Sequence, residues 1–224
     1  MKKYLYSLGV SFYAEKEMLR LEEQARKGWQ FVKMNRWGFL VFEKAAAQEK
    51  QFAVDFYTGS DTAAEIAEYL EMYEASGWTY ISDYQKKYFY FMADKATPKI
   101  FSDQISYAER LAAEQKWSFK NAFKLPLAGA LIVALITVLL HYGVIGKQFF
   151  VGIILGLGLG MIIFPFTYLL FSLFMNWRYK NRAEFYQQPE AFAKKQRVWL
   201  DSLMNMLIGL LLGGLIGFIY GYFF

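Results

Sequence analysis

The chain contains no cysteine and a single histidine, His141. Without cysteine there is no disulfide framework, no thiolate metal site and no thiol nucleophile. One histidine excludes every multi-histidine metal centre and argues against a Ser/His/Asp triad. Charge is unevenly scarce. Residues 1–100 hold 14 Lys/Arg and 14 Asp/Glu, residues 101–124 hold 4 and 3, and residues 125–224 hold 7 and 3. The net +5 therefore comes from segments beside hydrophobic runs, and no basic stripe of the kind a nucleic-acid binder needs is in view. A glycine-rich phosphate loop is missing as well, because Gly156, Gly158 and Gly160 fall inside an apolar run. The acids Glu65, Glu68, Glu71 and Glu74 step along one helical stretch as a solvated face, not as a catalytic pair. No enzyme activity, cofactor or metal is expected.

What the second half does contain is three long apolar runs. They are 125–146, whose one ionisable side chain is His141, then 149–175, with no charge in 27 residues, and 203–224. Each meets the ~20 residues a helix needs to cross a bilayer core. Arg110, Lys116, Lys120 and Lys124 precede the first run, and Lys147 alone lies between the first and second. The loop 176–201 carries Arg178, Lys180, Arg182, Lys194, Lys195 and Arg197. The positive-inside rule then predicts a multi-pass protein of the cytoplasmic membrane, with the N-terminus and loop 176–201 in the cytoplasm and the C-terminus outside. Residues 1–13 lack the apolar core of a signal peptide. Intramembrane charge, the usual mark of a transport path, is absent from the runs, which reads as an anchor or assembly surface. Glycines recur at four-residue spacing: Gly152, Gly156 and Gly160 in the second run, and Gly209, Gly213, Gly217 and Gly221 in the third. Such strips let helix backbones approach closely. The simplest reading packs the two strips on each other; the functional alternative is a homo-oligomer seam or pore lining.

The first hundred residues contain an internal repeat. Ala25–Val32 and Glu74–Ile81 share a Gly-Trp pair at an offset of 49, and Ala14, Leu21 and Glu22 match Ala63, Leu70 and Glu71 at the same offset. Beyond a turn two residues longer in the second copy, 43–45 matches 94–96. Each copy parses as strand, helix, strand, strand. Strands are expected at 4–8 and 52–57, helices at 14–27 and 62–76, and hairpins over 29–44 and 78–92. Asp61 is the expected cap of the second helix. The predicted fold class is an α+β N-terminal domain, a duplicated unit with an antiparallel sheet and two helices, followed by an all-α region of three transmembrane helices. The expected divisions are 1–100 for the domain, 101–124 for a charged helical linker and 125–224 for the membrane part.

Several local patterns carry a family resemblance. They are Lys2, Lys3 and Tyr4 at the start, Phe12, Glu15 and Leu19 leading into Ala25, Gly28 and Trp29, then 52–57, Gly77 with Trp78 and Tyr80, and finally 100–107. In these residues the chain resembles domain-of-unknown-function family 2812, found in membrane proteins of Gram-positive bacteria, over residues 1 to about 110. The resemblance implies this fold and a membrane location, and brings no catalytic residues to carry over. Its genes often neighbour PadR-type regulators, which implies a regulated membrane stress or export system.

Aromatic residues dominate the domain. They serve either as sheet–helix core or as an aromatic platform on a sheet face that lacks helices. Trp37, Tyr80, Tyr88 and Tyr90 are the candidate partner or ligand face, because a strand such as 88–91 is apolar on both sides and something must cover the open one. The loop 176–201 is expected to anchor at the membrane interface, or to dock the cytoplasmic domain. Two functions follow. One is a non-enzymatic membrane protein with a cytosolic sensing or interaction domain. The other is an accessory or immunity subunit of an export complex, assembled through the glycine strips. The partners expected are the lipid bilayer and a protein, either a regulator or a transporter subunit, with a homo-oligomer as a further option.

Overall fold

A computed structural model describes the backbone of residues 1–146 and 149–223. The first copy of the repeat runs β1 (Lys2–Tyr6), α1 (Val10–Arg26), β2 (Trp29–Met34) and β3 (Phe39–Lys44). The second runs β4 (Lys50–Phe56), α2 (Ala63–Ala75), β5 (Thr79–Tyr84) and β6 (Tyr88–Asp94). Each copy closes its own three-stranded antiparallel sheet, ordered β1-β3-β2 and β4-β6-β5. The expected antiparallel sheet is thus two sheets, with β2 and β5 side by side.

The duplication extends to irregularities. Both second-to-third strand ladders shift register at the same place, between Phe31 and Lys33 in one copy and between Tyr80 and Ser82 in the other. An extra residue there, Val32 or Ile81, bends the strand and increases its twist. The pairs Gln30↔Glu43 and Thr79↔Met92 keep the offset at 49 through the hairpin. The second turn is therefore not longer, and Glu43 corresponds to Met92, not Asp94. The chemistry of the two turns differs instead. Gly38 takes φ +80° in the first, where Asn35 Oδ1 accepts from Trp37 N at 2.9 Å. In the second, Gln85 and Lys86 take φ 57° and 52°, held by Asp83 Oδ1 accepting from Lys86 N at 2.8 Å.

Both helices end on a left-handed glycine, Gly28 and Gly77, as a C′ residue requires. Their starts differ from expectation. α1 begins four residues early, after Gly9 at φ +95° with no side-chain cap and an irregular turn at Tyr13. α2 is capped by Thr62, which accepts from Glu65 N, while Asp61 pairs with Lys87 at 3.0 Å. One layer of core holds Leu21, Phe31, Leu40, Phe42 and Tyr90; another holds Tyr73, Trp78, Phe89 and Phe91 beneath α2.

The remaining helices are α3 (Gln104–Ala122), α4 (Lys124–His141), α5 (Phe149–Arg178), α6 (Pro189–Lys195) and α7 (Val198–Phe223). The chain divides into two compact units, Met1–Glu114 with Asn181–Arg197, and Gln115–Lys180 with Val198–Phe224. The boundary read above moves accordingly. Residues 101–114 and the segment 181–197, which joins α5 to α7, belong with the duplicated domain, because their side chains fill and neutralise its interior.

Among the described residues three helices are long and apolar enough to cross a membrane. The first apolar run ends early, at His141, the second continues to Arg178, and the third starts at Val198. α4 and α5 meet where Gly129 and Gly158 face each other; a Cβ at Gly129 would collide with the Gly158 carbonyl oxygen, and one at Gly158 would lie 2.9 Å from Val133 Cγ2. The expected strips lie elsewhere. Gly152, Gly156, Gly160, Gly209 and Gly213 have open space where a Cβ would stand, so the two strips do not pack on each other at these residues. The surroundings of Gly217 and Gly221 lie outside the described residues. α5 and α7 are joined at their polar ends, where buried Asp201 accepts from Tyr179 at 2.7 Å and pairs with Arg178 Nε at 2.9 Å.

Candidate functional site

The domain interior holds charge. α1 carries Glu15, Glu17 and Glu22 on its buried side, among Val10, Ala14, Leu21 and Ala25. A carboxylate removed from water is destabilising unless paired and hydrogen-bonded. Glu15 is 2% exposed. Arg182, in the 3₁₀ turn Arg182–Phe185, grips it with two guanidinium nitrogens, and Tyr107 of α3 donates to it at 2.6 Å. Burial alone would push the Glu15 carboxyl up; the guanidinium and these hydrogen bonds outweigh it and hold the carboxyl below its ordinary value. Glu17 has a weaker set, with Ser7 Oγ at 2.6 Å, the Leu8 amide and Arg20, so burial wins and its carboxyl is raised. Glu22 is reached by Lys95 at 2.6 Å.

Segment 181–197 is held along its length. Lys16 donates to the carbonyls of Gln196 at 2.7 Å and Ala193 at 3.2 Å. Gln196 donates to the Phe12 carbonyl at 3.0 Å, Lys95 pairs with Glu190 at 3.5 Å, and Phe192 and Ala193 are buried. Of the two roles expected for loop 176–201, this part takes the docking one.

A second ionic group lies against β4. Arg110 faces Asp55 at 3.5 Å and Glu114 at 2.8 Å, and all three are buried. Asp55 also accepts from Tyr69 and Tyr73 of α2, both at 2.7 Å. Burial first and the Asp55 charge second raise both phenols far above their ordinary value, so they remain donors. Tyr88 faces Glu114 and Ser11. Asp55 and Arg110 stand more than 50 positions apart, so no local spacing in the sequence marks the pair. Among the described residues no group of three His, Cys, Asp or Glu is placed to hold a metal ion.

The candidate face is divided by the fold. Tyr90 is fully buried, with its ring 5.0 Å from Phe31 and its hydroxyl 3.1 Å from Met34 sulfur. The first copy covers that side of β6, so Tyr90 is core and the platform does not exist there. Tyr80 is part-exposed beside Phe89 and Phe91; its hydroxyl donates to Asp83 and is pushed up to about 12 by burial and that carboxylate. Trp37 and Tyr88 do come together. They border an open cleft of ≈ 520 Å³ with Tyr6, Ser7, Arg36 and Tyr84, Trp37 being 68% exposed and Tyr88 6%. The uncovered aromatic face is on the first sheet, where Tyr4, Tyr6 and Phe39 are exposed.

Residues 13–123 match the family model described as Protein of unknown function (DUF2812). This span belongs to that family. Nothing among the curated proteins or the solved structures matches the chain. The DUF2812 span takes in the second copy whole, most of the first copy's helix and hairpin, and α3, but neither β1 nor the segment 181–197. Arg182, the partner of Glu15, therefore comes from outside the matched residues. The three apolar helices fit a multi-pass membrane protein.

Proposed function

We propose that this chain is a non-enzymatic protein of the cytoplasmic membrane whose duplicated domain, in the cytosol, senses a ligand or partner and transmits its state to the membrane helices. The N-terminus is cytoplasmic and the C-terminus outside, as the lysines and arginines at the helix ends favour. One observation carries the reading. The segment joining α5 to α7 is built into the domain through Glu15, so rearrangement of the domain interior acts on the connection between two apolar helices. A mere anchor would not need a buried, charge-paired loop of that kind. The test is hydrogen exchange on the full chain in nanodiscs. Glu15→Gln should deprotect 181–197 and the adjoining end of α5 together; exchange confined to α1 would refute the coupling.

The accessory-subunit reading keeps one specific support. Gly152, Gly156 and Gly160, and Gly209 with Gly213, present strips with open space beside them, on which a helix of another subunit could pack. Gly156→Leu with Gly213→Leu would then abolish recovery of stoichiometric transporter subunits in a pull-down from native membranes. Retention of those subunits would end this reading.

A further inference from the structure

The two copies contain one aromatic pair at equivalent register positions. Tyr6 opposite Phe39 has ring centroids 5.4 Å apart at 77°, and Phe56 opposite Tyr88 has them 5.4 Å apart at 62°. Phe56 and Tyr88 are buried, whereas Tyr6 is 68% exposed. Core packing explains the second pair and leaves the first unexplained. The cleft of ≈ 520 Å³ opens beside Tyr6, within the ~300–1,000 Å³ range of small-molecule sites. It is lined by Tyr6, Trp37 and Tyr84 together with the buried Tyr88 and Ser7.

The polar lining selects a charge. Among the described residues Arg36 is the charged one on the cleft lining, with its guanidinium 4.8 Å from the Trp37 ring centre. Two acids reach lining residues from beneath, Glu17 through Ser7 Oγ and the Leu8 amide and Glu114 through Tyr88; both are buried and neither lines the cleft, so its surface offers a cation and aromatic faces but no carboxylate. Guanidinium groups recognise carboxylates through paired hydrogen bonds, and exposed aromatic rings stack on planar ligands.

We propose that this cleft is a binding site for a small planar aromatic molecule bearing an anionic group, with the ring between Tyr6 and Trp37 and the anion on Arg36. The proposal rests on the sensing reading and gives it a site. Tyr88 borders the cleft on one side and faces Glu114 on the other, and Glu114 in turn lies within electrostatic reach of Arg182 and Glu15.

The experiment uses the full chain in nanodiscs and three ring-matched probes, indole-3-acetate, indole and tryptamine, followed by saturation-transfer NMR against empty nanodiscs. Indole-3-acetate should bind saturably, and Arg36→Ala and Trp37→Ala should each weaken it about tenfold. Both residues are exposed, so thermal unfolding of these variants should match the parent. Tryptamine binding as tightly as indole-3-acetate, an Arg36→Ala variant that binds like the parent, or no saturable binding of any probe would overturn the proposal. A change of oligomeric state in Trp37→Ala would also overturn it, by making the face an interface between chains. Hydrogen exchange on the same samples separates this proposal from the reading beneath it. Probe binding without altered protection of 181–197 leaves the site standing and removes the coupling; loss of binding with coupling intact in Glu15→Gln removes the site alone.

Discussion

The two copies of the repeat share topology, register and even a bulge, yet they bury opposite elements. In the first, α1 is enclosed and its sheet leaves Tyr4, Tyr6 and Phe39 in the open. In the second, Tyr73 is the one buried residue of α2, while β4 and β6 are buried on both faces. Equivalent positions thus do different work. Ala14 is buried and Ala63 exposed; Glu22 is sealed against Lys95 and Glu71 lies in water; Glu15 has Ala64 as its counterpart. Duplication supplied two identical frames. The asymmetry arose from what was laid over them, namely α3 and the segment 181–197 on the side of α1, and the first copy on the inner face of the second sheet.

Four measurements would break or sharpen this contrast. Arg182→Ala strands Glu15 as an unpaired buried carboxylate and should destabilise the domain by about 3–5 kcal/mol in denaturant unfolding of the full chain, whereas Glu71→Ala on the exposed helix should stay within ~0.5 kcal/mol. Next come the equivalent aromatic pairs. Phe56→Ala should cost about 3–5 kcal/mol and Tyr6→Ala under ~0.5 kcal/mol; equal costs would mean that Tyr6 is covered in the native protein. Smaller still, Thr62→Ala should cost about 1 kcal/mol through loss of the α2 cap, an effect with no analogue at the start of α1, where Gly9 supplies no side chain.

The fourth is a titration. The folded Glu15 carboxyl lies below its ordinary value, so its contribution is fully present above the ordinary carboxyl range and disappears as pH falls through the depressed one. Glu17 is raised and acts oppositely; protonation favours the folded form, and that advantage fades as pH rises through the folded value. Thermal unfolding from pH 7 to pH 3 should show the gap between the parent and Glu15→Gln closing at the acid end. A gap independent of pH would show that the Arg182 pair is not what holds Glu15 charged.

Local chemistry was the part of the fold open to reading in advance. Gly28–Trp29 and Gly77–Trp78 announce the repeat because a left-handed glycine after a helix and an aromatic at the next strand are requirements of the unit itself. The apolar runs are equally plain, since a bilayer-crossing helix excludes charge along its whole length. Trp37 and Tyr88 line one cleft and do not share a strand face, a juxtaposition that strand alternation does not encode. Tyr90 was misplaced because a strand apolar on both sides does not tell which neighbour covers it, and here the neighbour is the other copy. The ionic interior was illegible. Glu15 is separated from Arg182 by 167 positions and Asp55 from Arg110 by more than 50, and an acidic residue on a helix looks the same whether its partner is water or an arginine so distant.

That separation also sets an order of events during synthesis. Glu15 and Tyr107 are both on the nascent chain before any of α5 has been made, but Arg182 follows only after the apolar segments 124–141 and 149–178. At about 5–20 residues per second the ribosome needs roughly 3–14 s to pass from Glu114 to Arg182. Until then Glu15 lacks its guanidinium partner, and its carboxyl is left to water or to protonation. Closure of the domain interior on Arg182 therefore comes after the second apolar segment in the order of synthesis, however early the rest of the domain is made.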